Sequence, residues 1–400
     1  MVTKKRGLHY ERKSNWGIFY LATLLVFLNF WSSVTTIPLY VGFLGGRDFH
    51  AGIQGTLFFF GAVVFRFYLG PLSDRKGRKL ILLVGAFAFA TTPLLLLVFQ
   101  TVNSVILLRL YQAVGLAAYF AAGPAFVGDA APFQRLGTYM GIYRLIVAVG
   151  LLVGPALALE IIGRVGYDAW FWTSFVLGSL AFLLLLVIDS PEPGKVSDDN
   201  LIHSGKNILK DGDNREIYMA IALFSICSGI VFTFVPVFLE SVVGMENPGI
   251  FFTVYSLAGI VASITVGALL DRLSPRRMMM TLGVGYGLGL VFIYPLSEFF
   301  PGILLAAVVM GSGFSGTMVG LTTSLIKRIE KERRGVAVSL QENTIDVFMA
   351  AGSFVFPAMI SLMGYGVSFS AIGIFLMGMM GLSVLQRRKK QKFNHQTEDL

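Results

Sequence analysis

GPLSDRKGRK, residues 70–79, is the stretch on which the fold turns. Four of its residues are basic (Arg75, Lys76, Arg78, Lys79), one is acidic (Asp74), and glycines stand at 70 and 77. It separates two apolar runs, 51–71 and 80–100. Each run is about as long as the roughly twenty residues a helix needs to cross a bilayer. A short basic segment between two such spans stays on the cytoplasmic side. Gly77 permits a tight turn, and Gly70 is read as a point where helices approach closely. The same pattern returns as GALLDRLSPR at 267–276, where Gly267, Leu269, Asp271, Arg272 and Arg276 stand 197 positions after Gly70, Leu72, Asp74, Arg75 and Lys79.

Outward from this pair, ten further apolar runs complete twelve expected helices: 17–43, 51–71, 80–100, 104–128, 138–162, 169–189, 216–241, 249–270, 278–296, 302–326, 336–362 and 366–386. With the N-terminus cytoplasmic, only five of the 32 Lys and Arg residues leave the cytoplasmic segments. Arg47 and Arg164 fall in outer loops; Arg66, Arg109 and Arg144 lie inside spans. That bias places both termini in the cytoplasm. A polar stretch at 190–215, containing SPEPGKVSDDN and KDGDN, reads as a linker. It divides a six-helix bundle, 1–189, from a second, 216–386, followed by a tail at 387–400. Arg135 and Gly137 recur 198 positions later as Arg333 and Gly335. Parallel halves of this kind, with a substrate site between them, characterise a class of secondary transporters.

Composition agrees. The chain of 400 residues is 55% hydrophobic and 14% charged, with a mean hydropathy of +0.72. Soluble domains carry about a quarter charged residues, so lipid must solvate much of this surface. The net charge of +9 lies in short clusters between apolar runs, which excludes a nucleic-acid-binding face. The apolar run after the basic start is too long for a signal peptide. The single cysteine, Cys227, allows no internal disulfide. His9, His50, His203 and His395 all lie outside the runs, so no metal site or buried histidine relay is expected. No catalytic motif stands out, and the chain is not read as an enzyme.

GPLSDRKGRK resembles, nearly letter for letter, the G-x-L-x-D-R-x-G-R-K signature between helices 2 and 3 of the major facilitator superfamily. The resemblance spans essentially the whole chain. It implies an all-α membrane protein of twelve helices in two pseudo-symmetric bundles. It also implies that this loop latches the halves in one conformation through Asp74, Arg75 and Arg78, with Gly70 and Gly77 shaping it and Asp129 pairing with it. Gly267, Asp271 and Arg272 take the same places in the second copy, which departs at Ser274-Pro275. The alternative, that the charges serve only to fix topology, leaves the glycine spacing without a role. Gly141, Gly150 and Gly154-Pro155 in the fifth span resemble the helix 5 signature of proton-coupled antiporters, except that Ala158-Leu159 replace its closing glycines. Arg109, Gln112 and Gly115 resemble the family's R-x-x-Q-G pattern with the glycine displaced; relatives use this arginine near the proton site.

Charge inside a membrane costs several kcal/mol, and such residues usually face the bundle interior and serve function. Arg66, Arg109 and Arg144 meet this condition in the first half; of the 23 acids, only Glu342 and Asp346 lie well within a span. Those two are four apart on one helix face. Arg66 and Glu342 lie at matching depths, and helices 2 and 11 face each other in the superfamily, so Arg66 is expected to pair with Asp346 or Glu342. Protonating the acid would weaken the pair and release the halves. Helix 1 carries no acid where many relatives place one. An aromatic cavity is expected from Asn29, Trp31, Tyr111, Gln112, Tyr119, Phe120, Phe232 and Phe234.

The reading is a secondary active transporter that exports a small amphipathic drug or metabolite in exchange for protons by alternating access. It is expected to act as a monomer in the cytoplasmic (inner) membrane, with a small-molecule substrate, the lipid bilayer around it, no nucleic acid and no cofactor beyond the proton gradient. The alternative is a proton-coupled uptake symporter for a sugar or organic acid. The three arginines and two acids leave the substrate's charge open.

Overall fold

The computed structural model describes residues 16–189, 208–269, 275–330 and 334–398, and among these the regular structure is entirely helical. Six helices precede the central gap: α1 Trp16–Phe43, α2 Asp48–Lys76, α3 Arg78–Val98, α4 Val102–Ala130, α5 Leu136–Val165 and α6 Tyr167–Val187. A short 3-10 turn, Phe133–Arg135, leads into α5. After the gap come α7 Gly212–Ser241, α8 Gly249–Leu269, α9 Pro275–Leu296 and α10 Phe300–Arg328. The last helical stretch, Arg334–Glu398, breaks at Gly364, whose φ of 73° and ψ of 171° no helix contains. Its apolar part, Val336–Leu382, is 47 residues long. At 1.5 Å per residue that is about 70 Å, over twice a bilayer core of about 30 Å. The break resolves it into two crossings, α11 (334–363) and α12 (365–398). With the ten earlier spans, the described helices make the twelve expected crossings.

Boundaries differ from the sequence reading at three places. Helix α2 begins at Asp48 and continues to Lys76, so most of GPLSDRKGRK is helical. Only Gly77, at φ 95°, turns the chain into α3. At the linker, Asp211 caps α7 by accepting hydrogen bonds from the amides of Asp213 and Asn214. The helix therefore starts at Gly212, before position 216. Most of the linker, along with Asp271, Arg272, His9 and His203, lies outside the described residues.

A register of 198 residues relates most of the two halves, with 197 across α2 and α8. Tyr20 in α1 donates its hydroxyl to the carbonyl of Tyr139 in α5 at 3.0 Å; Tyr218 in α7 donates to Ala337 in α11 at 2.8 Å. Tyr40 packs on Tyr167 and Phe171, with ring centroids 4.8 and 4.9 Å apart. Phe238 packs on Tyr365 and Phe369, at 5.7 and 5.5 Å. Left-handed glycines open α6 and α12 alike, Gly166 at φ 99° and Gly364 at φ 73°. Helix contacts repeat too: α1 on α5 and α7 on α11, α2 on α4 and α8 on α10, α3 on α6 and α9 on α12. Between halves, α2 packs on α11 and α5 on α8, the same pairing exchanged.

Where helices cross closely, glycine carries the contact. A Cβ on Gly154 would stand 2.8 Å from the carbonyl oxygen of Leu28. On Gly352 it would stand 2.2 Å from that of Ile226, the equivalent pair. Lipid supplies no hydrophobic drive between helices, so close packing of small residues holds them together. Gly352→Ala is expected to force α7 and α11 apart and to lower the thermal unfolding midpoint in detergent, at an overpacking cost of about 1–3 kcal/mol. Gly378→Ala, where a Cβ meets nothing within 4 Å, should leave the midpoint unchanged; equal midpoints for the two variants would refute this packing account.

Candidate functional site

The two halves meet along two seams, and contact along both is concentrated on the side of the molecule opposite the termini. On the α5–α8 seam, Ser256 donates to the carbonyl of Ala148 (3.0 Å), Thr253 to Leu152 (2.7 Å) and Asn247 to Ala156 (3.1 Å). Asn247 also reaches Glu160 at 3.3 Å. The acceptors stand every fourth residue, one stripe of α5. On the α2–α11 seam, a Cβ on Gly52 would meet Ser353 and Pro357. Thr56 donates to Ala350 at 3.2 Å, and Tyr365 donates to the carboxylate of Asp48 at 2.6 Å. Towards the termini this contact stops. Thr138, Gly141 and Arg144 on the first turns of α5 are exposed. In the described conformer the seam contacts therefore lie towards the far side, and the first turns of α5 are free of them on the side of the termini.

Where the seam opens, the intramembrane charges collect. Arg66 of α2 reaches Asp346 of α11 at 2.6 Å, both nearly buried, and donates a second hydrogen bond to Asn343 at 2.7 Å. The guanidinium also faces the ring of Phe120, 5.8 Å away. Of the two acids expected as partners for Arg66, Asp346 is the one in contact. Glu342, one turn away, instead faces Arg144 of α5 at 3.8 Å. Trp31 of α1 donates its indole N–H to Val147 at 3.2 Å and packs on Phe232 of α7 at 5.1 Å. Six helices therefore bring Arg66, Asn343, Asp346, Glu342, Arg144, Phe120, Trp31 and Phe232 to one region between the halves.

Several expected cavity residues face elsewhere. Asn29 turns into its own bundle and donates to the carbonyls of Phe89 and Ser174; its amide pins α1 to α3 and α6. Tyr111 shares a 2.7 Å hydrogen bond with Thr91 on the α3–α4 contact. Tyr119 is buried against Gly85 and Phe27, and Phe234 against Phe356 of α11. Gln112 bonds to Arg109. Arg109 itself is buried, 3.4 Å from the Ser33 hydroxyl and stacked 3.7 Å above Phe58. Among the described residues no carboxylate pairs with it. These corrections share a cause: helical position was legible, but the face presented to the other half was not. A separate cleft of about 950 Å³ opens on the far side, lined by residues such as Pro38, Arg47, Val237 and Pro357. It borders none of the aromatics expected at the cavity.

At the α2–α3 turn, Arg78 bridges Asp74 and Asp129, reaching Asp129 at 2.8 Å and also touching Ser73. Asp74 thus bonds within its own half in this conformer. Arg75 is exposed beside the cluster. A Cβ on Gly70, Gly141 or Gly267 would meet nothing within 4 Å, so none of these marks a close helix approach here. Gly150 and Gly154 do, both against α1; buried Pro155 follows within a helix that stays continuous. Two participants escaped the sequence reading. Asn343 sits between the two acids, and Tyr365 follows the glycine break; the 198-residue spacing of Gly166-Tyr167 and Gly364-Tyr365 was the available signal for the second.

Comparison with known proteins gives the context. The family model described as Major Facilitator Superfamily matches residues 19–251 and 247–399. An uncharacterized MFS-type transporter, MJ1560 of Methanocaldococcus jannaschii, is 20% identical over 94% of this chain and 99% of its own. The multidrug resistance protein MdtL of Salmonella schwarzengrund is 23% identical over 87% and 88%. The crystal structure of the nucleoside transporter NupG superposes with a TM-score of 0.74 at 15% identity, covering 92% of this chain and 96% of that one. A twelve-crossing helical fold built from two related halves, with a match to the family model along nearly its whole length, makes this chain a member of the Major Facilitator Superfamily, a multi-pass membrane transporter and not an enzyme.

Proposed function

We propose that this protein exports a small amphipathic drug or metabolite in exchange for protons, with the Arg66–Asp346 pair as the coupling element. The observation that carries this reading is one buried ion pair joining the two halves at the edge of their contact. Removing one partner of a buried pair costs about 3–5 kcal/mol, because the other charge is left unmatched. A proton on Asp346 neutralises the carboxylate and leaves Arg66 only its hydrogen bond to the neutral amide of Asn343, also on α11. The ionic tie between α2 and α11 is then lost, the bond that remains is weaker, and the halves rock more readily. Kinship with multidrug resistance proteins supports export. So do Gly150 and Gly154, which form the antiporter-like face of α5 against α1. The positive bias of the loops supports a cytoplasmic-membrane location with both termini inside. A monomer driven by the proton gradient, without a cofactor and without nucleic acid, completes the proposal.

Substrate-driven proton flux in proteoliposomes carrying a pH dye tests it. In the wild type, protons are expected to move opposite to the substrate. Asp346→Asn should reduce that flux about tenfold or more while substrate binding persists. Full coupling in both Asp346→Asn and Glu342→Gln would sink the coupling scheme, and flux in the same direction as substrate would promote uptake symport.

The Arg78 cluster is proposed as the conformational latch. Its carboxylates are 40% and 45% exposed, so the pairs add little to stability. Their loss should appear in rate. Arg78→Gln is expected to slow transport about tenfold at unchanged membrane abundance, and Arg78→Lys to recover only part, since an ammonium cannot bridge two carboxylates with the guanidinium fork. Full-rate transport by Arg78→Gln would leave these charges with a topological role alone.

A further inference from the structure

Arg144 and Glu342 are 198 residues apart, the interval that relates equivalent positions on α5 and α11, such as Tyr139 and Ala337 or Gly154 and Gly352. Two positions exchanged by a twofold relation can touch only where they straddle its axis. Their contact at 3.8 Å therefore places them on the pseudo-twofold axis, midway between the halves. Each lies eight residues from the start of its helix, so both sit about 12 Å in from the side of the termini. The first turns of α5 are exposed on that side, the Arg144 side chain 56% so.

The contact is too long for a hydrogen bond, which needs about 2.7–3.2 Å. Among the described residues neither group makes another hydrogen bond. The second charge pair close by, Arg66 and Asp346, is committed to itself and to Asn343. One cation and one anion thus face the side of the termini with capacity to spare. The apolar surface beside them is supplied by Trp31, half-buried, whose indole is anchored three residues beyond Arg144 in α5 and backed by the buried ring of Phe232.

The geometry points to a zwitterion as the substrate: a molecule with an ammonium and a carboxylate close together on an aromatic or apolar body, bound between Arg144 and Glu342 on the axis. The carboxylate completes the Arg144 fork, the ammonium takes the Glu342 carboxylate, and the body lies on Trp31. A purely cationic ligand would leave Arg144 unmatched, and a purely anionic one would leave Glu342 so. An ammonium on Glu342 also excludes a proton there, which is the mutual exclusion that exchange requires. This assignment rests on the seam being the transport route, as proposed above, but not on which acid carries the coupling proton.

Calorimetry on the purified protein, with no gradient, tests it using two matched series: phenylalanine, 3-phenylpropanoate and 2-phenylethylamine, then tryptophan, indole-3-propanoate and tryptamine. In at least one series the zwitterion is expected to bind about tenfold or more tightly than either singly charged analogue. Arg144→Gln should erase its advantage over the amine, and Glu342→Gln its advantage over the acid. The exchanged double variant, Arg144→Glu with Glu342→Arg, should restore the preference, because the two positions are equivalent; this guards against misreading a single variant that merely folds poorly. Equal binding of singly charged analogues, selectivity unchanged in both single variants, or no binding in either series overturns the assignment. Loss of proton flux in Asp346→Asn alongside absent zwitterion preference would fault the substrate class alone. Zwitterion preference without proton exchange would fault the coupling alone.

Discussion

A guanidinium buried within a membrane must meet its counter-charge or lie in water, and much of this molecule is arranged around that demand. Arg66 meets it with Asp346 across the boundary between two bundles. The pair is stabilising only while both partners are charged and in reach. At that boundary a single proton bears on how the two bundles hold together. An ion pair inside one bundle would stiffen that bundle and do nothing to its partner. Arg109 is the contrast. It is buried deep in its own bundle against Phe58 and Ser33, where its charge has no means of tying the halves together.

For such a pair to act as a switch, the bundles must move as bodies. The packing provides this. Glycines bring α1 against α5, and α7 against α11, at backbone distance, and the Asn29 amide fastens α1 to α3 and α6. These contacts lie inside the bundles and repeat with the 198-residue register. Between the bundles glycines also meet backbone, Gly52 on α11 and Gly249 on α5, but the hydrogen bonds there are single hydroxyls and one amide donating to helix carbonyls that already serve their own helices. They are individually weak and spread along the far side. Bonds of that sort can be exchanged for others when the bundles rock, without breaking either core.

How much of this could be read from the sequence follows from what sequence encodes. Apolar length and the distribution of Lys and Arg are one-dimensional quantities, so the spans and the internal duplication were legible in GPLSDRKGRK and its copy. The pairing of α2 with α11 followed from a resemblance, and Arg66 with one of two acids followed from depth. Which face of a helix meets the other half was not legible. In a membrane both the lipid-facing and the core-facing stripes are apolar, and the amphipathic signal that orients a soluble helix is missing. Hence Asn29, Tyr111, Tyr119 and Phe234 were assigned to a cavity they do not line. Asn343 was passed over because a neutral amide between two acids adds no charge to count.

The duplication explains why the functional chemistry is asymmetric. Two equivalent halves would place identical side chains on either side of the axis, and identical charges there would repel. A twofold scaffold can hold an ion pair on its axis only if the copies have diverged in sign, as Arg144 and Glu342 have. The seams show the same divergence: the position equivalent to Arg66, in the 197-residue register of α2 and α8, is Ser263, and the one equivalent to Asp346 is Ala148. One seam therefore carries the charge that can be switched, and the other carries the ladder of hydroxyl and amide bonds from α8 to α5. An equal distribution of charge over both seams would need two protonations to free the halves. Concentrating it on one is what the proposed coupling requires: a single protonation at Asp346 would loosen α2 from α11 and leave the ladder from α8 to α5 in place.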